Sequence, residues 1–335
     1  MEPHGPVDIR EGAMCTRISF TSKDGRVVTG RNMDWPEDMH TDLWAFAAGM
    51  HRTGDNGPAG FIWESTHSSV IAAGYNCGTA DGINDAGLVA NLLYLSESEV
   101  GEPGDRPRLS IGAWAQYVLD CCSSVAEVVS TMESAPFAIT TSALPNGSLA
   151  SLHLAVSDAS GDSAVFEFLD GDLTVHHGPE FRVMTNSPVY DQQLAIDAYW
   201  REIGGEVMLP GTSRAADRYV RASYYLGNLP VDVDDRAAVA GVLSVQRNAA
   251  KPLGIAAPGA PEVSQTLWTS IADSTARRYY YQDTLSPDIV WVELDRLAFD
   301  TSAPSRRLNL QGHPIIHGEV SDRFEAADPF TFLGT

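Results

Sequence analysis

The sequence predicts an α+β fold whose sheets are largely antiparallel. Runs of β-rich sequence and runs of helical sequence alternate in blocks, and not strictly as β-α-β-α, which is typical of this class. Asp-Gly dipeptides separate adjacent β-rich runs, as they do in hairpins. With 44% hydrophobic and 20% charged residues, the composition is that of a globular protein and excludes collagen-like, coiled-coil and disordered chains.

The chain has 335 residues, and at roughly 150 residues per domain its length alone would suggest two domains. No internal repeat, low-complexity segment or linker divides it, so we predict one domain over residues 15–335. Residues 1–14 hold two Pro and two Gly and show no periodic apolar pattern. We interpret them as a leader that is absent from the mature chain.

The first hairpin is predicted between the β-rich runs 15–22 and 26–35, which flank Asp24-Gly25. A two-residue loop at Asp24-Gly25 would place Cys15 opposite Asp34, and Arg17 opposite Asn32. By strand alternation, Arg31 would then point to the other face. It would need a bulge or an early end of the strand to reach Cys15.

Hydrophobic periodicity and turn residues predict the remaining elements in order. A second hairpin is expected at residues 81–88, where it enters a strand from Leu88 to Leu95. Further strands are predicted at 151–157, 163–169, 172–177, 181–185, 264–273, 276–283 and 288–294. Helices are predicted at 109–134 in two pieces, 189–203, 214–227 and 234–247. The second piece of the first helical region opens with the capping box Ser124-x-x-Glu127.

The charge balance limits the partners that this chain can have. Asp and Glu (44) outnumber Lys and Arg (22), which gives a net charge of -22. Such a surface repels phosphate groups, so we predict no nucleic-acid partner and no binding to anionic membranes. No run approaches the ~18 apolar residues of a membrane helix. The first ten residues contain no apolar signal core, so we predict a cytoplasmic location.

The four cysteines do not form a metal-binding pattern. Cys15, Cys77, Cys121 and Cys122 include no C-x-x-C pair and have no His at ligand spacing, and no H-E-x-x-H motif is present. We therefore predict neither a metal nor another cofactor. Four cysteines could form too few disulfides to stabilise a chain of this size. This cysteine content is typical of a protein in a reducing compartment.

Cys15 is the candidate nucleophile. It follows Met14, so loss of the leader would make Cys15 the first residue. Its α-amine, with an ordinary pKa of about 7.7–8.0, would then be a base on the same residue as the thiol, and an adjacent base is what activates a nucleophile. No His context indicates a Cys-His pair. The alternative is an edge hairpin in which Arg31 and Asp34 form a surface ion pair.

Five segments, in the same order along the chain, resemble the choloylglycine hydrolase family. This family contains N-terminal-nucleophile amidases, among them conjugated bile salt hydrolases and penicillin V acylases. The segments are Met14-Cys15-Thr16-Arg17, Gly30-Arg31-Asn32-Met33-Asp34-Trp35, Asp81-Gly82-Ile83-Asn84-Asp85-Ala86-Gly87-Leu88, Met184-Thr185-Asn186-Ser187-Pro188, and Leu209-Pro210-Gly211 with Arg218-Tyr219-Val220-Arg221. The resemblance implies a four-layer αββα sandwich, hydrolysis of linear amides and assembly as a homotetramer.

The resemblance also implies the roles of individual residues. The nucleophile falls on Cys15, with Arg31 and Asp34 beside it, and a second active-site arginine falls on Arg218. The oxyanion hole falls on the Asn186 side chain and the Tyr94 main-chain N–H. A carboxylate can orient the α-amine, and arginines favour a thiolate. One fixed oxyanion donor is worth ~3–4 kcal/mol.

Two of these assignments have plain structural alternatives. Asn186 precedes Ser187-Pro188 and could serve only as a turn former. Arg218 lies in a predicted helix with Arg214 and Arg221, where a solvated basic face is the alternative.

Tyr94 distinguishes two branches of the family, because bile salt hydrolases carry asparagine there and penicillin V acylases carry tyrosine. The segments 90–95 and 41–44 resemble the branch that also cleaves N-acyl homoserine lactones. We therefore expect hydrolysis of a small-molecule amide between an apolar acyl group and a polar amine. The alternatives are a bile salt hydrolase and a biosynthetic deacylase or acyltransferase. Apolar residues near the catalytic positions are expected to bind the acyl group: Met33, Trp35, Trp44, Leu92 and Tyr94.

Overall fold

The structure, a computed structural model, describes residues 14–55, 57–204, 207–254, 264–286, 288–297, 299 and 303–334. Residues 1–13 of the predicted leader lie outside these ranges. Met14, the last leader residue, is buried and begins the first strand.

Cys15 lies in a sheet that has seven strands within the described residues. Their spatial order is β14 (Val183–Met184), β1 (Met14–Thr21), β2 (Val27–Trp35), β15 (Gln265–Asp273), β16 (Arg278–Asp283), β17 (Val290–Glu293) and β19 (Gly318–Glu319). All neighbours are antiparallel except β17 and β19. We refer to it as the Cys15 sheet.

A second sheet, with nine strands in the described ranges, is antiparallel throughout. Its order is β13 (Asp172–His177), β12 (Ser163–Leu169), β11 (Leu152–Ser157), β8 (Val89–Tyr94), β7 (Gly78–Asn84), β6 (Ser69–Gly74), β3 (Leu43–Phe46), β18 (Ser305–Leu308) and β20 (Glu325–Ala326). Two small ladders accompany it: β4 (His51–Thr53) with β5 (Ile62–Glu64), and β9 (Arg108–Ser110) with β10 (Ala138–Thr140).

Helices cover the outer face of each sheet. The α-helices are α1 (Trp114–Cys121), α2 (Val125–Glu133), α3 (Tyr190–Ile203), α4 (Ala215–Gly227) and α5 (Asp235–Ala249), and short 3₁₀ helices lie at Ile111–Ala113, Leu294–Arg296 and Ser321–Arg323. On the Cys15 sheet, Gln246 of α5 donates to the Gly30 carbonyl of β2 at 2.8 Å. On the nine-stranded sheet, Asn84 of β7 donates to the Leu119 carbonyl of α1 at 2.9 Å.

The two sheets pack face to face. Arg17 of β1 donates to the Val156 carbonyl of β11 at 3.2 Å, which spans the interface. The order of layers is therefore helices, sheet, sheet, helices, and the predicted four-layer sandwich is confirmed. The apolar layer between the sheets, here called the inter-sheet core, includes Cys15, Met33 and Leu93. The layer between the nine-stranded sheet and helices α1 and α2 is the helix-side core.

The register of the first hairpin differs by one residue from the prediction. Cys15 pairs with Met33 and Met14 pairs with Asp34. The loop has three residues, 23–25, because Ser22 N–H donates to the Arg26 carbonyl. Gly25 has a φ of 85°, the left-handed conformation that this loop length requires. A shift of one residue exchanges the faces, so it is Arg31, and not Asp34, that shares a face with Cys15.

Most other predicted elements agree with the structure to within a few residues. The predicted bounds of β12 and β13 are those observed. The predicted strand 181–185 is reduced to β14. Ser124 caps α2 by accepting from Glu127 N–H, but the Glu127 carboxylate binds Ser123 N–H, one residue earlier than a capping box requires. Strands β3 to β6, β9, β10 and β18 to β20 were not predicted.

Membrane-spanning helices and metal-ligand clusters are both absent from the described residues. None of their helices has the length and apolar character needed to span a bilayer. They hold no group of three or more His, Cys, Asp or Glu placed to bind a metal ion. The cytoplasmic location stays a prediction.

Gly30 allows α5 to lie directly on β2. A Cβ atom at Gly30 would lie 2.7 Å from Val242 Cγ1 and 2.9 Å from Ile271 Cδ1. We predict that Gly30→Ala lowers the free energy of unfolding by about 1–3 kcal/mol through overpacking. The control Gly211→Ala meets no atom within 4 Å and should change it by less than about 0.5 kcal/mol. Urea unfolding measures both, and equal midpoints for the two variants would contradict the packing argument.

Candidate active site

The Cys15 thiol is buried between the sheets beside a guanidinium group. Cys15 pairs with Met33 of β2, and Arg31, two residues before Met33, points to the same face of the sheet. Arg31 Nη2 lies 3.3 Å from Cys15 Sγ and donates to the Leu92 carbonyl at 3.1 Å. Because the hydrogen bond to β8 fixes the guanidinium, its positive charge stays next to the sulfur.

Asp81 of β7 holds the other side of Arg31, and sequence reasoning did not identify it. The two charged groups are each 1% exposed and lie 3.9 Å apart (Arg31 Nη1 to Asp81 Oδ2). Burial raises the pKa of Asp81, and the charge of Arg31 opposes that rise. The Asp81 carboxylate accepts hydrogen bonds from three side chains: Asn91 Nδ2 at 2.7 Å, Ser270 Oγ at 3.0 Å and Tyr279 OH at 2.6 Å.

Asp34 lies on the opposite face of β2 and is also fully buried. Its Oδ1 accepts from Thr266 Oγ1 at 2.6 Å. Its Oδ2 accepts no hydrogen bond from the described residues, although Arg218 Nη1 lies 3.6 Å away. Burial raises the pKa of Asp34, while the charge of Arg218 and the bond from Thr266 lower it. The surface ion pair considered for Arg31 and Asp34 is therefore excluded, since both residues are buried on different faces.

Arg218 and Asn186 hold the main chain of Cys15. Arg218 of α4 is fully buried, and its Nη1 donates to the Cys15 carbonyl at 2.5 Å. Its Nη2 donates to Asn186 Oδ1 at 2.9 Å, which also accepts from Cys15 N–H at 2.5 Å. Asn186 Nδ2 donates to the Tyr94 carbonyl at 2.6 Å. Neither plain alternative applies: Arg218 is not on a solvated face, and the Asn186 side chain does not bind its own turn.

Gln193, in the first turn of α3, holds the segment that carries Asn186 through hydrogen bonds. Its Nε2 donates to the Asn186 and Pro188 carbonyls, and its Oε1 accepts from Thr185 Oγ1 at 2.8 Å. His153 Nε2 binds the Thr185 carbonyl at 2.9 Å. Sequence reasoning identified neither residue, because neither belongs to a motif and their contacts form only in the folded chain.

The gap between β7 and β8 places main-chain groups beside Cys15. The two strands pair only as far as Asp81 and Asn91 and then separate. Leu95 N–H donates to Ser151, on the β11 side. Because main-chain groups alternate in direction along an antiparallel strand, those of Leu92 and Tyr94 point away from β11 and into the gap. The hydrogen bonds that Arg31 and Asn186 make to their carbonyls fit this direction.

An apolar cavity, partly open to solvent, adjoins the thiol. Four of the five predicted acyl-binding residues line it, together with Cys15 and Arg31: Met33, Trp35, Leu92 and Tyr94. Trp35 Nε1 donates to Tyr75 OH at 2.7 Å, and its ring meets that of Tyr94 edge-on with centroids 6.3 Å apart. Cys77 also lines the cavity, and burial raises the pKa of its thiol, which keeps it protonated.

Trp44 is the predicted acyl-binding residue that the structure does not bring to this cavity. Alternation along β3 turns Leu43 and Ala45 to the inter-sheet core, and therefore Trp44 to the helix-side core. There its ring stacks on Phe46 and its Nε1 donates to Asn76 at 2.9 Å. The sequence could not reveal this orientation, because β3 itself was not predicted.

The buried ion pair of Arg31 and Asp81 should be important for stability. We predict that Asp81→Asn lowers the free energy of unfolding by about 3–5 kcal/mol, because it leaves the Arg31 charge buried without its partner. Asp295→Asn makes the same change in the exposed pair with Arg277 and should cost less than about 1 kcal/mol. Urea unfolding of both variants checks this, and a loss at Asp81 no larger than that at Asp295 would refute it.

Comparisons with known proteins agree with this geometry. Residues 15–306 match the family model of linear amide C–N hydrolases, choloylglycine hydrolase family. The chain is 40% identical to a penicillin V acylase of Pectobacterium atrosepticum, over 96% of this chain and 92% of that protein. It is 24% identical to a conjugated bile acid hydrolase of Lactobacillus acidophilus, over 80% and 92% of the two chains.

A solved structure shows the same fold. The penicillin V acylase from Agrobacterium tumefaciens superposes with a TM-score of 0.89 at 43% identity, over 96% of this chain and 100% of that one. The match of the family model, and of a relative at 40% identity across nearly the whole chain, establishes the family. It is more similar to the penicillin V acylases named here than to the conjugated bile acid hydrolase. This chain is a member of the choloylglycine hydrolase family, a linear amide C–N hydrolase of the N-terminal-nucleophile fold.

Proposed function

We propose that this hydrolase cleaves a linear amide between an apolar acyl group and a polar amine, through an acyl-cysteine intermediate on Cys15. The observation that carries the proposal is the position of the thiol. It lies between an apolar cavity on one side and, on the other, a set of buried hydrogen-bond donors. Such a site can bind an acyl group and stabilise an oxyanion at the same point.

In the proposed reaction the base is the α-amine of Cys15, freed by removal of residues 1–14. Met14 lies opposite Asp34 in the hairpin, so its removal opens the space between that amine and Asp34. Asp34 Oδ2, buried and without a hydrogen bond from the described residues, is suited to accept one from the amine. The amine takes the thiol proton, and the thiolate forms beside Arg31.

The thiolate then attacks the amide carbonyl, and the oxyanion is held in the gap between β7 and β8. Its donors are the Tyr94 N–H and the second hydrogen of Asn186 Nδ2, since one hydrogen of that amide already binds the Tyr94 carbonyl. One such donor is worth about 3–4 kcal/mol. The α-ammonium protonates the departing amine, which leaves the acyl-cysteine. Water then gives a proton to the α-amine, attacks the thioester and releases the acid and the thiolate.

The substrates that we propose are penicillin V, N-acyl homoserine lactones or related N-acyl metabolites. Met33, Trp35 and Leu92 offer apolar surface to an acyl group, and the relative at 40% identity is named a penicillin V acylase. In this proposal the polar amine stays towards the open side of the cavity. The homotetramer implied by the resemblance belongs to the same proposal.

The proposed nucleophile can be tested by comparing two cysteines of one cavity. Cys15→Ser should keep the fold and lower amidase activity by about 100-fold or more, because it removes the nucleophilic thiol. Cys77→Ser, which changes the other cavity-lining thiol, should keep most of it. Intact-mass spectrometry of the active protein should give the mass of residues 15–335. An active protein that still carries residues 1–14 would rule out the α-amine as the base.

The proposed acyl specificity predicts an order of substrates. Phenoxyacetyl penicillin and a medium- to long-chain N-acyl homoserine lactone should exceed glycine- and taurine-conjugated bile acids in kcat/KM by about 10-fold or more, since pocket contacts of this kind discriminate by that much. Steady-state assays of these substrates under one set of conditions give the order. A clear preference for the conjugated bile acids would favour the bile salt hydrolase alternative and show that the Tyr94 side chain does not select the acyl group.

A further inference from the structure

The segment 327–334 follows the last strand of the nine-stranded sheet and lies beyond the residues matched by the family model. It starts at the edge of the sheet, where β20 pairs with β18. Both main-chain groups of Ala327 form hydrogen bonds there. Its N–H donates to the Ser305 carbonyl at 3.2 Å, and its carbonyl accepts from Ser305 Oγ at 2.5 Å.

Two aromatic side chains anchor this segment to the helix-side core. The Phe330 ring meets Trp44 edge-on with centroids 5.4 Å apart. Phe332 is buried, and its ring meets that of Phe330 edge-on with centroids 5.3 Å apart. It is tilted by 34° to the ring of Trp63, with centroids 6.3 Å apart. Aromatic pairs in these geometries add to the stabilisation from burial alone, so the segment has a defined position on the outer face of the sheet.

Leu333 is thereby brought to the cavity that adjoins Cys15. Its N–H donates to the Cys77 carbonyl at 2.8 Å, and its side chain lines the cavity. Cys15 and Met33 belong to the inter-sheet core, whereas Phe332, the residue before Leu333, belongs to the helix-side core. The residues that line the cavity come from both cores, Cys15 and Met33 from the inter-sheet core and Leu92 from the helix-side core, so the cavity passes through the gap between β7 and β8. Leu333 reaches it from the segment that packs on the helix-side core.

We propose that Leu333 is a specificity-determining residue that forms the end wall of the acyl cavity and limits the length of the acyl chain. This inference rests on the proposed function, in which the acyl group occupies the cavity. The hydrogen bond to Cys77 and the two aromatic anchors hold the wall in place. A linear acyl chain that extends past the gap meets the Leu333 side chain, and a methylene more or less in such a pocket changes kcat/KM by about 10-fold or more.

The test compares hexanoyl and dodecanoyl homoserine lactone as substrates. Leu333→Ala should raise the ratio of kcat/KM for the dodecanoyl over the hexanoyl lactone about 10-fold, and Leu333→Trp should lower it about 10-fold. Ile315→Ala, at a side chain that is 77% exposed, is the matched control and should leave the ratio unchanged. The same two lactones are also titrated calorimetrically into the Cys15→Ala chain, with and without each Leu333 change, to measure chain-length preference in the absence of turnover.

The outcomes separate this inference from the function on which it rests. Unchanged ratios in both Leu333 variants, in kcat/KM and in Kd, overturn the end wall, as does a failure of both lactones to bind. If the parent chain hydrolyses neither lactone nor phenoxyacetyl penicillin, the proposed function is wrong. A shift of the Kd ratio in the Leu333 variants would still support the end wall in that case. If Leu333→Trp does not fold, the test rests on Leu333→Ala. A rise in its dodecanoyl-to-hexanoyl ratio supports the end wall, and an unchanged or lower ratio overturns it.

Discussion

The three-residue loop of the first hairpin sets the register on which the arrangement of the site depends. With Gly25 in the left-handed conformation, Cys15 pairs with Met33. The Cys15 thiol and Arg31 then face the second sheet, while Asp34 faces the side from which Arg218 approaches. Cys15 is thus held by two separate sets of groups. Its sulfur contacts the inter-sheet side, and its main chain is bound by groups from α4 and from the segment after β14.

Arg31 and Arg218, the two buried arginines that contact Cys15, each have a carboxylate nearby. Neither arginine is within hydrogen-bond distance of that carboxylate. Asp81 lies 3.9 Å from Arg31, and Asp34 lies 3.6 Å from Arg218. Charges removed from water need partners, and these two carboxylates offset the positive charge of the site. Both distances exceed hydrogen-bond length. One guanidinium nitrogen of each arginine contacts Cys15 instead, at its sulfur in one case and at its carbonyl in the other.

The sequence predicted the layers and most of the site, but not contacts that depend on the register or on distant strands. Motif residues such as Asn186 and Arg218 were found because local sequence carries them. Asp-Gly occurs in hairpin loops of two and of three residues, so the pairing of Cys15 was wrong by one. Asp81 and Gln193 were missed because their partners are distant in sequence. The leader and the single domain over 15–335 stay predictions.

In the proposed function, the separation of β7 from β8 divides the chemistry of the site from its selectivity. Where a ladder ends, main-chain groups that would have bound the next strand become available to a ligand. In the proposed mechanism the Tyr94 N–H is such a donor, and no substitution of Tyr94 except proline removes it. The walls of the same gap are side chains, among them Tyr94 itself and Leu333 from a segment outside the matched family region. If the proposed function holds, the acyl preference on this scaffold can therefore change through those side chains while the oxyanion donors stay in place.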